Sequence, residues 1–395
     1  MSQPLFTDST QILVFLVLVI GFVYWLNSKQ KFVRFFRFFT PVLWIYFLPM
    51  LATTLGILPS ESPVYNWIRK HFLPAALILL LLSANLPTIA RLGSKAILTM
   101  LAGTFGIVIG GPIVVLLFKN SLPEGAWKGI AALSGSWIGG SHNLVAISES
   151  VGTPESLLGP IIVVDTVVGY TWMGIVIALS AFQDRFDRWA DVDRSVVEEI
   201  NRRVNEIDQS NRRPLKFTDL TLMMTLAIGG SYLCLELGQH LPQLGEVISS
   251  FAWTVILVTT FGLILSFTRL SQLEYAGASH LGNFFLFLLL ASIGARADLK
   301  AILQVPLFVL VGIIWITIHA VCLFIAGKLL KSPMFLIATA SQANIGGPVT
   351  APIVASVYQS SLAPVGLLMA VFGSILGIYA GLLCAQLCYW VDKFW

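Results

Sequence analysis

Residues 134–143 read SGSWIGGSHN and lie inside an apolar segment that is long enough to cross a membrane. The stretch combines three glycines, three serines, a histidine and an asparagine. Each glycine lowers helix stability by about 1 kcal/mol, and in lipid each freed backbone group costs several kcal/mol unless protein or water satisfies it. The pattern therefore predicts a helix that stops near Gly139 and Gly140, starts again, and lines a cavity with its backbone.

The composition around this stretch is that of an integral membrane protein. Of 395 residues, 56% are hydrophobic and 11% are charged, and the mean hydropathy is +0.84. These values exclude a soluble globular domain and predict an all-α polytopic membrane protein with about ten to thirteen transmembrane helices. We expect a multi-pass protein of the bacterial cytoplasmic membrane. The candidate spans are residues 10–26, 39–58, 72–91, 95–118, 127–150, 157–183, 217–238, 247–268, 273–296, 303–329, 332–358 and 362–389.

A charged stretch divides the chain into two halves. Residues 184–216 carry eight acidic and eight basic residues, with apolar residues spaced as one helical stripe between Val196 and Ile207. The basic residues predict a cytoplasmic amphipathic connector. The expected organisation is a first half over residues 1–183, the connector, and a second half over residues 217–395.

The second half contains a matching interruption. A shift of 207 residues aligns AALSGSWIGGSHNLVAIS, which begins at residue 131, with ATASQANIGGPVTAPIVA, which begins at residue 338. Gly139 and Gly140 then meet Gly346 and Gly347, and Pro348 follows where proline best begins a helix. This predicts two structural repeats, each with a broken, crossing helix. An inverted relation is the hypothesis, although five spans between the breaks would make the repeats parallel, so the span count is ambiguous by one.

The two breaks together predict a binding site. Restarted helices offer N-termini with partial positive charge, and stopped helices offer free carbonyls, which suit an anionic group and a cation respectively. Close packing of small residues is the alternative explanation. It accounts neither for the polar side chains nor for their recurrence. The candidate residues at the breaks are Ser134, Ser136, Gly139, Gly140, Ser141, His142 and Asn143 in the first half, and Ser341, Gln342, Asn344, Gly346, Gly347 and Thr350 in the second.

Three polar residues outside the breaks are further candidates. Asp165 lies eight residues into the next apolar span, where an ionised carboxylate costs at least ~2.5 kcal/mol, so it must face a polar cavity, pair, or be protonated. Glu149 is either a cation ligand or an interfacial acid, and Asn85 precedes a proline that frees helix carbonyls. His319, in contrast, is interpreted as a satisfied core residue or as a side chain that snorkels toward the end of its helix. We expect a Na⁺ ion near Asp165 and Asn143 if a metal ion is bound.

Residues 134–182 and 340–383 resemble the YjcL-like family of bacterial and plant membrane proteins, a domain of unknown function. The resemblance implies a relation to the cation/proton antiporters and to the bile-acid and related sodium symporters, which share inverted repeats and crossed, broken helices. In that superfamily, sodium/proton antiporters carry an ion-binding carboxylate at the place of Asp165. The chain lacks a second acid beside Asp165, and Phe372 occupies the matched position of the second half, so the resemblance supplies no substrate.

These features favour an ion-coupled secondary transporter, driven by Na⁺ or H⁺, that moves a small solute by alternating access. The restarted helix N-termini favour an anionic solute. A monovalent cation/proton antiporter is the first alternative, and an intramembrane enzyme or a passive channel is less consistent with the sequence. We expect no enzymatic activity and no cofactor beyond the coupling ion. The expected partners are the lipid bilayer and a small-molecule or ion substrate, with no nucleic acid, and a homodimer is left open.

Overall fold

The computed structural model describes residues 4–38, 41–82, 89, 92–192, 213–297, 305–359 and 362–395. In these ranges the secondary structure consists of helices, turns and one isolated β-bridge. The helices are α1 (Ser9–Asn27), α2 (Gln30–Phe38), α3 (Pro41–Thr54), α4 (Pro63–Leu81), α5 (Ser94–Phe118), α6 (Ala126–Gly139), α7 (Ser141–Val151), α8 (Glu155–Ala178), α9 (Gln183–Trp189), α10 (Phe217–Thr225), α11 (Ser231–His240), α12 (Ser250–Ser266), α13 (Ala278–Arg296), α14 (Val305–Leu330), α15 (Met334–Ile345), α16 (Gly347–Tyr358) and α17 (Ala363–Phe394). Short 3-10 helices follow α8 (Leu179–Phe182) and α12 (Arg269–Ala276), and a π-helical turn (Leu226–Gly230) joins α10 to α11.

The all-α polytopic fold is confirmed. Over the described ranges, seven continuous helical segments are long and apolar enough to cross a membrane, and an eighth results if α12 and the following 3-10 helix, bent by 95°, form one span. The sequence predicts ten to thirteen. Part of the difference lies in the interrupted helices, because their halves have only 11 to 14 residues and are too short to span the hydrocarbon alone.

Both predicted interruptions are confirmed. Helix α6 ends at Gly139, and Gly140 adopts φ 99° and ψ 174°, a backbone conformation that is essentially restricted to glycine. Helix α15 ends at Ile345, and Gly347 has φ 66°. Pro348 lies in the first turn of α16, as predicted. The restarted helix α7 has no side-chain cap at its N-terminus, because Gly140 holds the N-cap position.

The helices pack as two groups. In the first group, which we call the panel, α13 packs against α3 and α4, α12 packs against α4, and α1 packs against α3. In the second group, which we call the core bundle, α5 packs against α14, and the long α17 packs against α5, α6 and α16. Helices α5 and α14 are the predicted repeat equivalents, and they face each other. The internal repeat, its inverted relation and the division into halves nevertheless stay predictions.

The charged connector is described only at its two ends. At the first end, the backbone N–H of Met334 donates to Asp187 Oδ1 at 2.8 Å, so α9 caps the N-terminus of α15. At the second end, Arg213 pairs with Asp219 at the start of α10. The apolar stripe between Val196 and Ile207 lies outside the described residues.

Candidate functional site

The two helix breaks lie against each other. A Cβ built on Gly347 would be 3.9 Å from the Cα of Gly140. Helix α17 lies across both breaks, because a Cβ built on Gly373 would be 2.5 Å from the Ile138 carbonyl oxygen and 3.6 Å from that of Ala343. We call this meeting of α6/α7, α15/α16 and α17 the crossing. It brings together backbone groups that are 207 residues apart in the chain.

A cavity of about 1040 Å³ separates the crossing from the panel. Its wall on the core-bundle side comes from both breaks and from α8 and α17, and its opposite wall comes mainly from α1, α4 and α13. The cavity therefore lies where the two helix groups meet. The lining includes nine of the residues predicted from the sequence: Ser136, Gly140, Ser141, His142, Asp165, Gln342, Gly346, Gly347 and Thr350.

Asp165 faces this cavity from α8 and is half-buried. The Ser136 hydroxyl, on α6, donates a hydrogen bond to its Oδ2 at 3.0 Å. Among the described residues Asp165 has no ion-pair partner. The sequence requires Asp165 to face a polar cavity, to pair with a charge, or to be protonated. The structure provides the first of these.

Three buried amide side chains near the breaks use their nitrogen atoms but not their oxygen atoms. Gln342 donates to Thr350 Oγ1 at 2.9 Å, Asn143 donates to the Ser374 carbonyl at 3.2 Å, and Asn344 donates to Thr104 Oγ1 at 3.4 Å. Each amide residue is at most 1% exposed. Within the described part of the chain their oxygens accept no hydrogen bond.

Carbonyl oxygens of this kind are suitable ligands for a hard cation. Gln342 is the one that also lines the cavity, whereas Asn143 and Asn344 lie behind the crossing. The described ranges contain no group of three or more His, Cys, Asp or Glu residues arranged to hold a metal. A cation at this site would therefore rely on Asp165 and amide or backbone oxygens.

Several predicted residues lie elsewhere. Ser134 donates to the Ala131 carbonyl of its own helix at 2.6 Å and does not line the cavity. Glu149 forms an ion pair with Arg69 of α4, away from the cavity. Asn85 lies outside the described residues. The cation-ligand and interfacial roles considered for Glu149 both stay predictions.

Ser341 belongs to a buried hydrogen-bond chain. Trp172 Nε1 donates to Ser341 Oγ at 2.8 Å, and Ser341 Oγ lies 2.9 Å from His319 Nε2. His319 Nδ1 lies 2.9 Å from the Gly103 carbonyl, which can only accept, so we assign the proton to Nδ1. Ser341 then donates to Nε2. The prediction that His319 is a satisfied core residue is confirmed.

The remaining predicted glycines are sites of close packing. A Cβ built on Gly139 would contact the Asn143 amide and the Gly373 carbonyl, and one built on Gly346 would contact Gln342 and Thr350. The first glycine lets α17 approach the break. The second leaves room for the Gln342–Thr350 hydrogen bond.

Sequence reasoning missed much of the cavity wall. Thr166, Tyr170 and Ser374 line the core-bundle side, and Tyr24, Asn27, Asn283 and Phe287 line the panel side. Asn283 carries a signal that could have been used, because an amide within an apolar helix is costly and suggests a polar contact. The aromatic residues carry no such signal, since their type and spacing fit any membrane helix.

Comparison with known proteins gives the family of the chain. Residues 14–391 match the family described as "Protein of unknown function (DUF819)". The "Uncharacterized membrane protein YjcL" of Bacillus subtilis (strain 168) is 27% identical over 343 residues, which cover 84% of this chain and 85% of that protein. The chain belongs to the DUF819 family and is a multi-pass membrane protein.

Proposed function

We propose that this protein is a secondary active transporter, coupled to Na⁺ or H⁺, that moves a small solute by alternating access. One observation carries the proposal: two helix breaks from different halves of the chain meet at the wall of a cavity that also holds Asp165. Unwound backbone inside a membrane protein is tolerated where it lines a cavity, and discontinuous helices are a common way to build transporter sites.

The proposed roles follow from the contacts. Asp165 holds the coupling ion, and the Ser136 hydroxyl orients its carboxylate. The Gln342 side-chain oxygen, which accepts no hydrogen bond among the described residues, and backbone carbonyls of the crossing complete the ion's surroundings. The solute occupies the cavity between the core bundle and the panel, whose relative movement would expose it to one side of the membrane or the other.

We also propose that the protein is not an enzyme. Ser341 and His319 have the spacing of a nucleophile and its base, at 2.9 Å. However, Ser341 is 2% exposed, does not line the cavity, and also accepts a hydrogen bond from Trp172. Such a serine is held in place by its neighbours and has no access to a substrate.

Flux into proteoliposomes tests the transporter proposal. An imposed Na⁺ or proton gradient should drive uptake from a mixture of labelled metabolites, and Asp165→Asn should abolish the coupling while the protein stays folded and inserted. Glu155→Gln is the matched control, because Glu155 begins the same helix but pairs with Arg296 outside the cavity. Ion movement with no solute present would identify a cation/proton antiporter instead. Gradient-dependent uptake that Asp165→Asn leaves unchanged would remove Asp165 from the mechanism.

A further inference from the structure

We infer, resting on the proposed function, that the solute is a small organic cation carrying an ammonium group, which binds at Asp165 in exchange for the coupling ion. The sequence alone favours an anionic solute because two restarted helices begin at the crossing. The charges of the side chains around the cavity lead to the opposite conclusion.

No arginine or lysine occurs among the described residues that line the cavity. The described acidic residues in the lining are Asp165 and Glu274. Among the described lining residues an anionic solute would find no permanently charged basic side chain, since the imidazole of His142 carries charge only when protonated, and it would lie beside two carboxyl groups of like charge. Removal of a charge from water without a partner is costly, and the two helix N-termini offer only partial charges in return.

The two acids are not equivalent. Both oxygens of Glu274 accept hydrogen bonds from Ser279, one from its backbone N–H at 3.0 Å and one from its hydroxyl at 2.7 Å. Glu274 thereby satisfies the first turn of α13. Asp165 accepts a hydrogen bond from Ser136 across the cavity wall and has no basic partner among the described residues. Asp165 is thus the charge available to a ligand.

The panel side of the cavity suits the organic part of such a cation. Tyr24 and Phe287 line it with ring centroids 5.4 Å apart, and Phe36 contributes a third ring. Tyr170 lies on the same helix as Asp165 and also lines the cavity. Aromatic faces attract ammonium groups and provide apolar contact area as well.

A single available carboxylate also determines the type of coupling. Its one negative charge balances one monovalent cation, so an ammonium group and the coupling Na⁺ or H⁺ exclude each other at Asp165. Symport would require Glu274, the other carboxyl group among the described lining residues, to bind a cation as well, and both of its oxygens already accept hydrogen bonds from Ser279. The inference therefore specifies exchange, with one cation leaving Asp165 as the other binds.

Binding of three matched probes tests this inference on the purified protein. The probes are benzyltrimethylammonium, phenylacetate and benzyl alcohol, which share an aromatic ring but differ in charge. We expect saturable thermal stabilisation by benzyltrimethylammonium alone, since a specific ligand stabilises the state that it binds. Asp165→Asn should weaken this binding by about 30-fold or more, the loss expected when one partner of a buried charge pair is removed. Glu155→Gln should retain the wild-type affinity.

The wild-type comparison needs no variant to fold, so it decides the charge preference by itself. Stabilisation by phenylacetate or benzyl alcohol in preference to the ammonium probe, or by none of the three, would overturn the inference. In proteoliposomes loaded with benzyltrimethylammonium, an inward Na⁺ or proton gradient should accelerate probe efflux. Ion-coupled flux of an anion would overturn the cationic solute and leave the transporter proposal standing, whereas an absence of any ion-coupled flux would overturn the transporter proposal itself.

Discussion

Substitution of Gly139 by alanine tests the close packing at the crossing. The added methyl group would lie 2.5 Å from the Gly373 carbonyl oxygen and 2.9 Å from its carbon, and it would also contact the Asn143 amide. An ordinary carbon–oxygen contact needs about 3.3 Å, so α6 and α17 would have to separate by about 0.8 Å. The backbone of α17, unlike a flexible side chain, cannot rotate away.

The expected cost follows from these contacts. Overpacking costs ~1–3 kcal/mol, and displacement of Asn143 from the Ser374 carbonyl forfeits a hydrogen bond worth about 1 kcal/mol. The gain in helix propensity from glycine to alanine returns at most about 1 kcal/mol. We therefore expect Gly139→Ala to lower the free energy of unfolding by ~1–3 kcal/mol.

Denaturant unfolding in detergent micelles, followed by tryptophan fluorescence, measures this difference. Gly174→Ala is the matched control, because Gly174 lies within α8 and a Cβ there would meet nothing within 4 Å. The control should be neutral or more stable by up to about 1 kcal/mol. If Gly139→Ala were as stable as Gly174→Ala, the close approach of α17 to the break would be refuted.

Three further predictions can be checked by the same unfolding measurement. Two concern contacts away from the cavity, and the third concerns the left-handed turn at Gly347. Arg69→Gln should lower the free energy of unfolding by about 3 kcal/mol, and by more than Glu149→Gln. Loss of Arg69 leaves the buried Glu149 carboxylate, 9% exposed, without its partner, whereas loss of Glu149 leaves the more exposed Arg69, at 35%. Equal losses would contradict an ion pair that is buried on one side. His319→Leu should cost ~1–3 kcal/mol and Trp172→Phe only about 1 kcal/mol, since the histidine has two hydrogen-bond partners and the indole one; the reverse order would exclude the proposed chain. Gly347→Ala should cost ~1 kcal/mol through its φ of 66° alone, and a cost near zero would argue against the left-handed turn.

The interruptions were predictable from the sequence because their causes are local. Paired glycines break a helix wherever they occur, and Pro348 favours a restart at its own position. Asp165 was predictable for a similar reason, since an acid in an apolar span needs a polar environment in any fold.

Partners that are distant in the chain were not predictable. Glu149 and Arg69 are 80 residues apart, and no sequence pattern in either segment predicts their pairing. The same holds for the charge of the cavity, because the absence of arginine and lysine from its described lining becomes meaningful only when the panel side of the wall is known. The N-termini of the restarted helix halves alone therefore suggested an anionic solute, whereas the described lining residues together favour a cation.

An experimental density map of the protein in lipid nanodiscs would test the central claim most directly, namely that both helices are unwound where they meet beside Asp165. The account predicts that helical density stops at Gly139 and Ile345, and that the Gly140 and Gly347 backbones lie so close at the cavity wall that a methyl group on Gly347 would contact Gly140. Continuous helices through both glycine pairs, or interruptions that lie apart and face lipid, would contradict it.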